Sequence, residues 1–163
     1  NGGGGGGAGT VGGQAALPSD SPNVIVSPAN SRTGPGGGGK VESITGQDLA
    51  IGGGGSGGSD QSTTDCQIGG ASAGGALGAT SNTASPGAVG NAGTANRGGG
   101  GGGGGRANGG NGGSGLVAIA YPDTFADITS IGAGLTVDKS ADTTLRSGFK
   151  VYTFTAGSGD IEF

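Results

Sequence analysis

Unbroken glycine runs constrain this chain more than any other feature. Eight consecutive glycines fill positions 98–105, and further glycine-rich segments span 2–9, 34–39, 52–58, 69–78, 87–93 and 109–115. Glycine loses more backbone entropy on ordering than any other residue and has no side chain to bury in return. A chain with 47 glycines among 163 residues therefore folds only if something besides side-chain packing offsets that loss. Glycine and proline together make about a third of the chain, a proportion met in collagen and in disordered sequence. Collagen is excluded, because its helix needs Gly at every third position with abundant Pro between, whereas here Gly is contiguous and Pro sparse. Disorder is disfavoured by a charged fraction of 11 % and a net charge of −4, since disordered chains are typically highly charged and self-repelling.

The conformation that suits such runs is polyglycine II, a left-handed threefold helix rising about 3.1 Å per residue with no internal hydrogen bonds. Every N–H and C=O of such a rod points outward and must find a partner. Rods packed side by side satisfy one another, and a Cβ in the interior would hold them apart. The runs thus predict a bundle of glycine rods joined by loops over residues 1–115. Large apolar residues there, chiefly Val24, Ile25, Val26, Val41, Ile44, Leu49, Ile51, Ile68 and Leu77, are too few for an ordinary core.

Residues 116–163 follow different rules. All six aromatic residues (Tyr121, Phe125, Phe149, Tyr152, Phe154 and Phe163) lie beyond position 120. The apolar run 116–121, stopped by Pro122, and the β-branched and aromatic run 148–155 predict strands. Residues 156–159 predict a turn into a short strand over 160–163, forming a hairpin with the preceding one. Alternation of Phe149, Val151 and Thr153 with Lys150, Tyr152 and Phe154 puts apolar surface on both faces of that strand, which calls for cover by the bundle or by another copy. No segment carries a capped helical period. The fold expected is irregular and glycine-rich: a polyglycine II bundle with little α-helix, then a small antiparallel β unit.

Several motifs tempt and fail. Residues 34–40 match the first seven positions of a phosphate-binding loop, but Val41 stands where a Ser or Thr hydroxyl should meet magnesium. The pairs Asp60 with Asp65 and Asp138 with Asp142 lack the ligand series of a calcium loop, so no metal or cofactor is expected. With no His in the chain, Cys66 has no base to activate it, and it reads as a small apolar residue. Enzymatic function is not expected. Seven scattered Lys and Arg in a chain of pI about 4.4 argue against nucleic acid, even though Arg97 and Arg106 flank the longest run. No apolar stretch approaches the roughly 20 residues of a membrane span.

The stretch from Arg97 to Asp123 resembles the end of the glycine-rich domain of phage tail-fibre and tail-tip adhesins. In it Gly112-Gly113-Ser114-Gly115 leads into an apolar strand, Leu116 to Tyr121. Ser43-Ile44-Thr45-Gly46 before the run at 52–58 resembles that family's interior, and Phe149 to Gly159 resembles its terminal β unit. The strands that open the family's domain are missing, and with the lack of Met this leads us to expect a part upstream. The resemblance implies a virion component outside the cell, with a host surface protein or glycan and the rest of the fibre as partners and a homo-oligomer, a trimer first, as its state. Binding residues concentrate on loops held by a scaffold. The two longest interruptions, 10–33 and 59–67, are therefore the expected contact loops, with Asp20, Asn23, Asn30, Arg32, Asp60, Gln61 and Asp65 as donors and acceptors. A purely structural fibre or virion component is the alternative. Ice binding, another use of such bundles, would need a regular Thr or Ala face that the sequence does not display.

Overall fold

Backbone groups rather than side chains hold the glycine-rich part of this chain. The computed structural model describes residues 4–14, 31–60, 66–67, 71, 73–81 and 86–163. It divides into two units, one of Asn1–Lys40 with Ala50–Ser114 and one of Val41–Leu49 with Gly115–Phe163. Among the described residues there is no α-helix, and nine strands follow in order: β1 Ser31–Arg32, β2 Lys40–Glu42, β3 Leu49–Ile51, β4 Cys66–Gln67, β5 Val117–Pro122, β6 Ser130–Ile131, β7 Leu135–Asp142, β8 Phe149–Gly157 and β9 Ile161–Glu162.

In the first unit three segments run parallel and bond in a closed triangle. Gly53, Ser56 and Ser59 donate their N–H groups to the carbonyls of Ala73, Ala76 and Ala79, each at 3.0 Å. Ala76 and Ala79 donate in turn to Gly100 and Gly103, at 2.9 and 2.8 Å. Gly100 and Gly103 close the cycle on Gly53 and Ser56, at 2.8 and 2.9 Å. Successive bonds to one neighbour are three residues apart in every case. A β ladder, with its period of two, does not produce this spacing. The same step recurs outside the triangle, where Gly102 and Gly105 donate to Asn91 and Ala88, Gly110 and Gly113 to Gly102 and Gly99, and Gly54 and Gly57 to Gly37 and Gly34.

Because consecutive residues address different neighbours, the run 98–105 is enclosed by several segments at once. A Cβ on Gly102 would fall on the carbonyl of Leu77, and one on Gly99 on the carbonyl of Gly74. Each segment of the triangle starts on a glycine in the left-handed region, Gly52 at φ 66°, Gly74 at 86° and Gly98 at 62°, where the incoming loop turns into line. Ser56 is one polar side chain tolerated inside: it is 2 % exposed, and its Oγ accepts the Gly78 N–H at 2.8 Å.

The second unit is a three-stranded sheet of order β5-β8-β7, antiparallel throughout. The two runs richest in aliphatic and aromatic residues pair along their length, from Val117 opposite Phe154 to Pro122 opposite Phe149. Pro122, with no N–H to give, ends β5. In β8 the side chains of Val151, Tyr152, Thr153 and Phe154 are all buried, at 7 % exposure or less. Both faces of the strand are therefore covered within the single chain, and β8 itself gives no reason for a second copy.

One expectation is corrected here, and one strand comes without any sequence signal. The terminal strand does not fold back on β8, because β5 and β7 already occupy both edges of that strand. Gly157, at φ 97°, turns the chain away, and β9 pairs with β6 instead, Ile161 opposite Ile131. The strand β7, which the sequence did not announce, carries register shifts at three places along Thr136 to Asp142 that interrupt its alternation. Arg146 ties in the 41–49 segment: its Nη1 donates to the Ile44 carbonyl at 3.2 Å while its guanidinium lies 3.8 Å over the Phe149 ring.

Replacement of Gly102 by Val should destabilise the chain by about 2–4 kcal/mol, since the new side chain must displace the Leu77 backbone. Gly6→Ala, at an exposed position where a Cβ meets nothing within 4 Å, should cost less than about 0.5 kcal/mol. Urea unfolding of both variants checks the contrast, and equal losses would contradict the enclosed run.

Candidate functional site

The hydrogen-bond directions give the first unit two distinct ends. The parallel segments finish near Ser59, Thr80 and Gly105, where isolated bridges join Ser59 to Thr80 and Ala88 to Gly105. Antiparallel neighbours bring Gly34 to the same level, bonded to Gly57, and Gly13, bonded to Gly4 and to the Pro35 carbonyl. The connections after Gly13, Asp60, Ser81 and Gly105 consequently all start from one end. At the opposite end lie Gly52, Ala73, Gly98 and Ser114.

This loop end holds the predicted contact residues that the structure describes. Asp60 caps the 52–59 segment and faces Arg106, whose Nη2 is 4.0 Å from its carboxylate and whose Nε donates to its carbonyl at 3.3 Å. Both side chains are about half exposed, so this pair contributes little stability, on the order of 0–1 kcal/mol, and stays open to a partner. Arg106 itself sits at φ 55°, in the left-handed region a non-glycine residue adopts only at a tight turn. The backbone of Arg32 stands in β1, parallel to β4, opposite Gln67. That pairing joins the ends of the two candidate loops, 10–33 and 59–67. Asp20, Asn23, Asn30, Gln61 and Asp65 lie outside the described residues. Arg106, which the sequence reading did not single out as a contact residue, stands beside Asp60 at the end of the longest run.

The apparent phosphate-binding motif is committed elsewhere. The N–H of Gly37 bonds to the Gly5 carbonyl at 2.8 Å and that of Gly38 to the Thr10 hydroxyl at 2.6 Å. Asp142, imagined as a cation ligand, caps its own turn by accepting from the Thr144 N–H and hydroxyl at 2.9 and 2.6 Å.

Open clefts lie on the described residues of the second unit. One of about 390 Å³ is lined by aliphatic residues, among them Leu116, Val117, Ile119, Leu135 and Ile161, with no charged side chain. Another, of about 400 Å³, is walled by Tyr121, Phe125, Ala126 and Phe163. Tyr121 stacks on Tyr152 at 5.9 Å between ring centres and meets Phe163 edge-on at 5.6 Å. The loop carrying Phe125 is pinned from below: Lys150 Nζ donates to the Phe125 carbonyl at 2.8 Å and pairs with Asp127 at 2.7 Å. Tyr152 adds a further tie by accepting the Ile128 N–H at 3.2 Å. The Tyr121 hydroxyl is shielded and has no hydrogen-bond partner among the described residues. Its pKa is pushed up to about 12, first by burial and next by the neighbouring Tyr152 hydroxyl.

Comparison of the chain with protein-family models, with curated proteins and with solved structures finds no match.

The raised Tyr121 pKa makes a signed prediction. A phenol held neutral in the fold contributes stability that is present below the ordinary value of 10 and is lost as pH rises from 10 to 12. Absorbance titration of the two tyrosines should show a step near 12 that Tyr121→Phe removes. Ionisation of Tyr121 near 10 would contradict the shielded geometry.

Proposed function

We propose that the first unit is a polyglycine II bundle serving as a rigid scaffold, and that the chain is a receptor-facing module at the tip of a phage tail fibre. The observation that carries this reading is the exit of the connections after Gly13, Asp60, Ser81 and Gly105 from one end of a framework bonded through its own backbone. The three-residue step of those bonds supports the threefold rod, because a helix with three residues per turn presents every third N–H to the same neighbour. An eight-residue run is then a rod of about 25 Å. Loops on such a frame are displayed without being needed to hold it, as contact surfaces require.

On this reading the end bearing Asp60 and Arg106, with the loops that contain Asp20, Asn23, Asn30, Gln61 and Asp65, meets a host surface protein or glycan. The chain works by binding and carries out no catalysis, and it joins the rest of the fibre as a homo-oligomer, a trimer being the state measured first by mass in solution.

Amide exchange tests the scaffold. The N–H groups of Gly100, Gly102, Gly103 and Gly105, each bonded to a different segment from its own, should exchange slowly as one group. Exchange at unfolded rates across 98–105 would refute the rods.

Adsorption tests the role. The purified chain should bind host cells and compete with phage for them. Joint replacement of Asn23, Asn30, Asp60, Gln61 and Asp65 by Ala should abolish that competition with the fold intact. Unchanged competition by this variant, or no binding by the parent chain, would leave a purely structural fibre component.

A further inference from the structure

The aromatic cleft of the second unit plays no part in the loop-end reading. Its walls are the rings of Tyr121, Phe125 and Phe163 with the methyl group of Ala126, and almost no polar atom faces it. Phe125 and Phe163 remain 64 % and 70 % exposed. Exposed rings gathered around one hollow mark a binding surface rather than a scatter of surface apolar residues. The rings are also held in place before any ligand arrives, Tyr121 by its contacts with Tyr152 and Phe163, and the Phe125 loop by Lys150.

Charge decides what the hollow accepts. The second unit carries eight carboxylates against three cations, a net of −5, while the rest of the chain carries three against four, a net of +1. Two exposed carboxylate side chains, Asp123 and Glu162, lie in sequence two residues before Phe125 and next to Phe163. The cation bonded to this loop, Lys150, is closed off by Asp127 at 2.7 Å. Aromatic faces are electron-rich and attract a cation placed over them, and an acidic surrounding adds to that attraction and repels anions. A sugar would look to the walls for hydrogen-bond partners, and these walls offer almost none. An ammonium whose protons are replaced by methyl groups asks for no hydrogen bond and is weakly hydrated, so an apolar cage suits it.

We propose that the cleft of Tyr121, Phe125 and Phe163 is an aromatic cage for a quaternary ammonium of the choline type. The charge on nitrogen sits against the ring faces, and the net negative charge of the unit draws the cation in from solution. This site is independent of the loop end, so it can hold or fail without the other.

The test is titration of the full chain, followed by NMR shifts of the aromatic rings, with choline, with its neutral carbon isostere 3,3-dimethylbutan-1-ol, and with glucose. Choline should bind at least about fivefold more tightly than the isostere, the difference made by the charge alone. Phe125→Ala, at an exposed position that leaves the sheet untouched, should weaken choline binding at least about fivefold. Asp123→Asn should weaken it by about twofold, because only a surface charge is removed. Co-sedimentation with phosphatidylcholine vesicles then assigns the source: sedimentation points to a membrane surface, and choline binding without it to the free cation. Equal binding of choline and the isostere, preference for glucose, binding of none of the three, or an unchanged affinity in Phe125→Ala would overturn the proposal.

Discussion

The first unit depends on hydrogen bonds between segments whose described residues in the triangle make none within themselves. A bond of this kind contributes about 1 kcal/mol net, little more than the backbone entropy of a single residue. It therefore stabilises only as part of a closed set, in which each segment is fixed by several neighbours. The triangle of 52–59, 73–80 and 98–105 is such a set, because each member donates to the next and accepts from the last. Glycine is needed for a steric reason rather than for flexibility. The backbones approach so closely that a Cβ on Gly55 or Gly90 would land on the carbonyl of Gly101 or Gly102.

How much of this was legible in the sequence differs between the units for a physical reason. Strands β5 and β8 were readable because β-branched and aromatic residues cluster there and Pro122 and Gly157 delimit them. The pairing of β9 was not, since the edges open to it depend on β7, and β7 has a charged pair, Asp138-Lys139, in its middle and irregular register. Local pattern identifies a strand but not which edges its neighbours leave free. In the first unit the runs announced segments needing outside partners, yet identical glycines contain no information about which run adjoins which. That choice is written in the interruptions: Ser56 within its segment, Pro35 where only an acceptor is used, and the turns opening at Gly52, Gly74 and Gly98.

The candidate sites show the same division. Residues such as Asp60 could be named from the sequence because they stand in long interruptions between runs. Their common end could not, since it follows from segment direction, and direction is a property of the whole bonding pattern. The aromatic cleft was half visible. Clustering of all six aromatics after position 120 signalled an apolar surface, but Tyr152 and Phe154 proved to be core while Phe125 and Phe163 stayed open. What separates them is position: the first two lie in the central strand, and the others in a loop and past the last strand.

A framework held by backbone groups also changes what sequence variation means. In an ordinary core the side chains that stabilise a domain limit what its loops can become, because packing couples them. Here the bonds joining the segments are largely indifferent to the connections between them, provided that each run keeps its glycines and its direction. Loop closure adds to this freedom, since doubling the length of a connection costs only about 0.6 kcal/mol. The connections after Gly13, Asp60, Ser81 and Gly105 can therefore change in length and chemistry while the segments beneath them stay fixed. Substitution at an enclosed glycine such as Gly102 has the opposite character, because one added carbon meets a neighbouring backbone that has no side chain to move aside. The costly composition of the glycine unit and the freedom of its loops are two results of the same constraint.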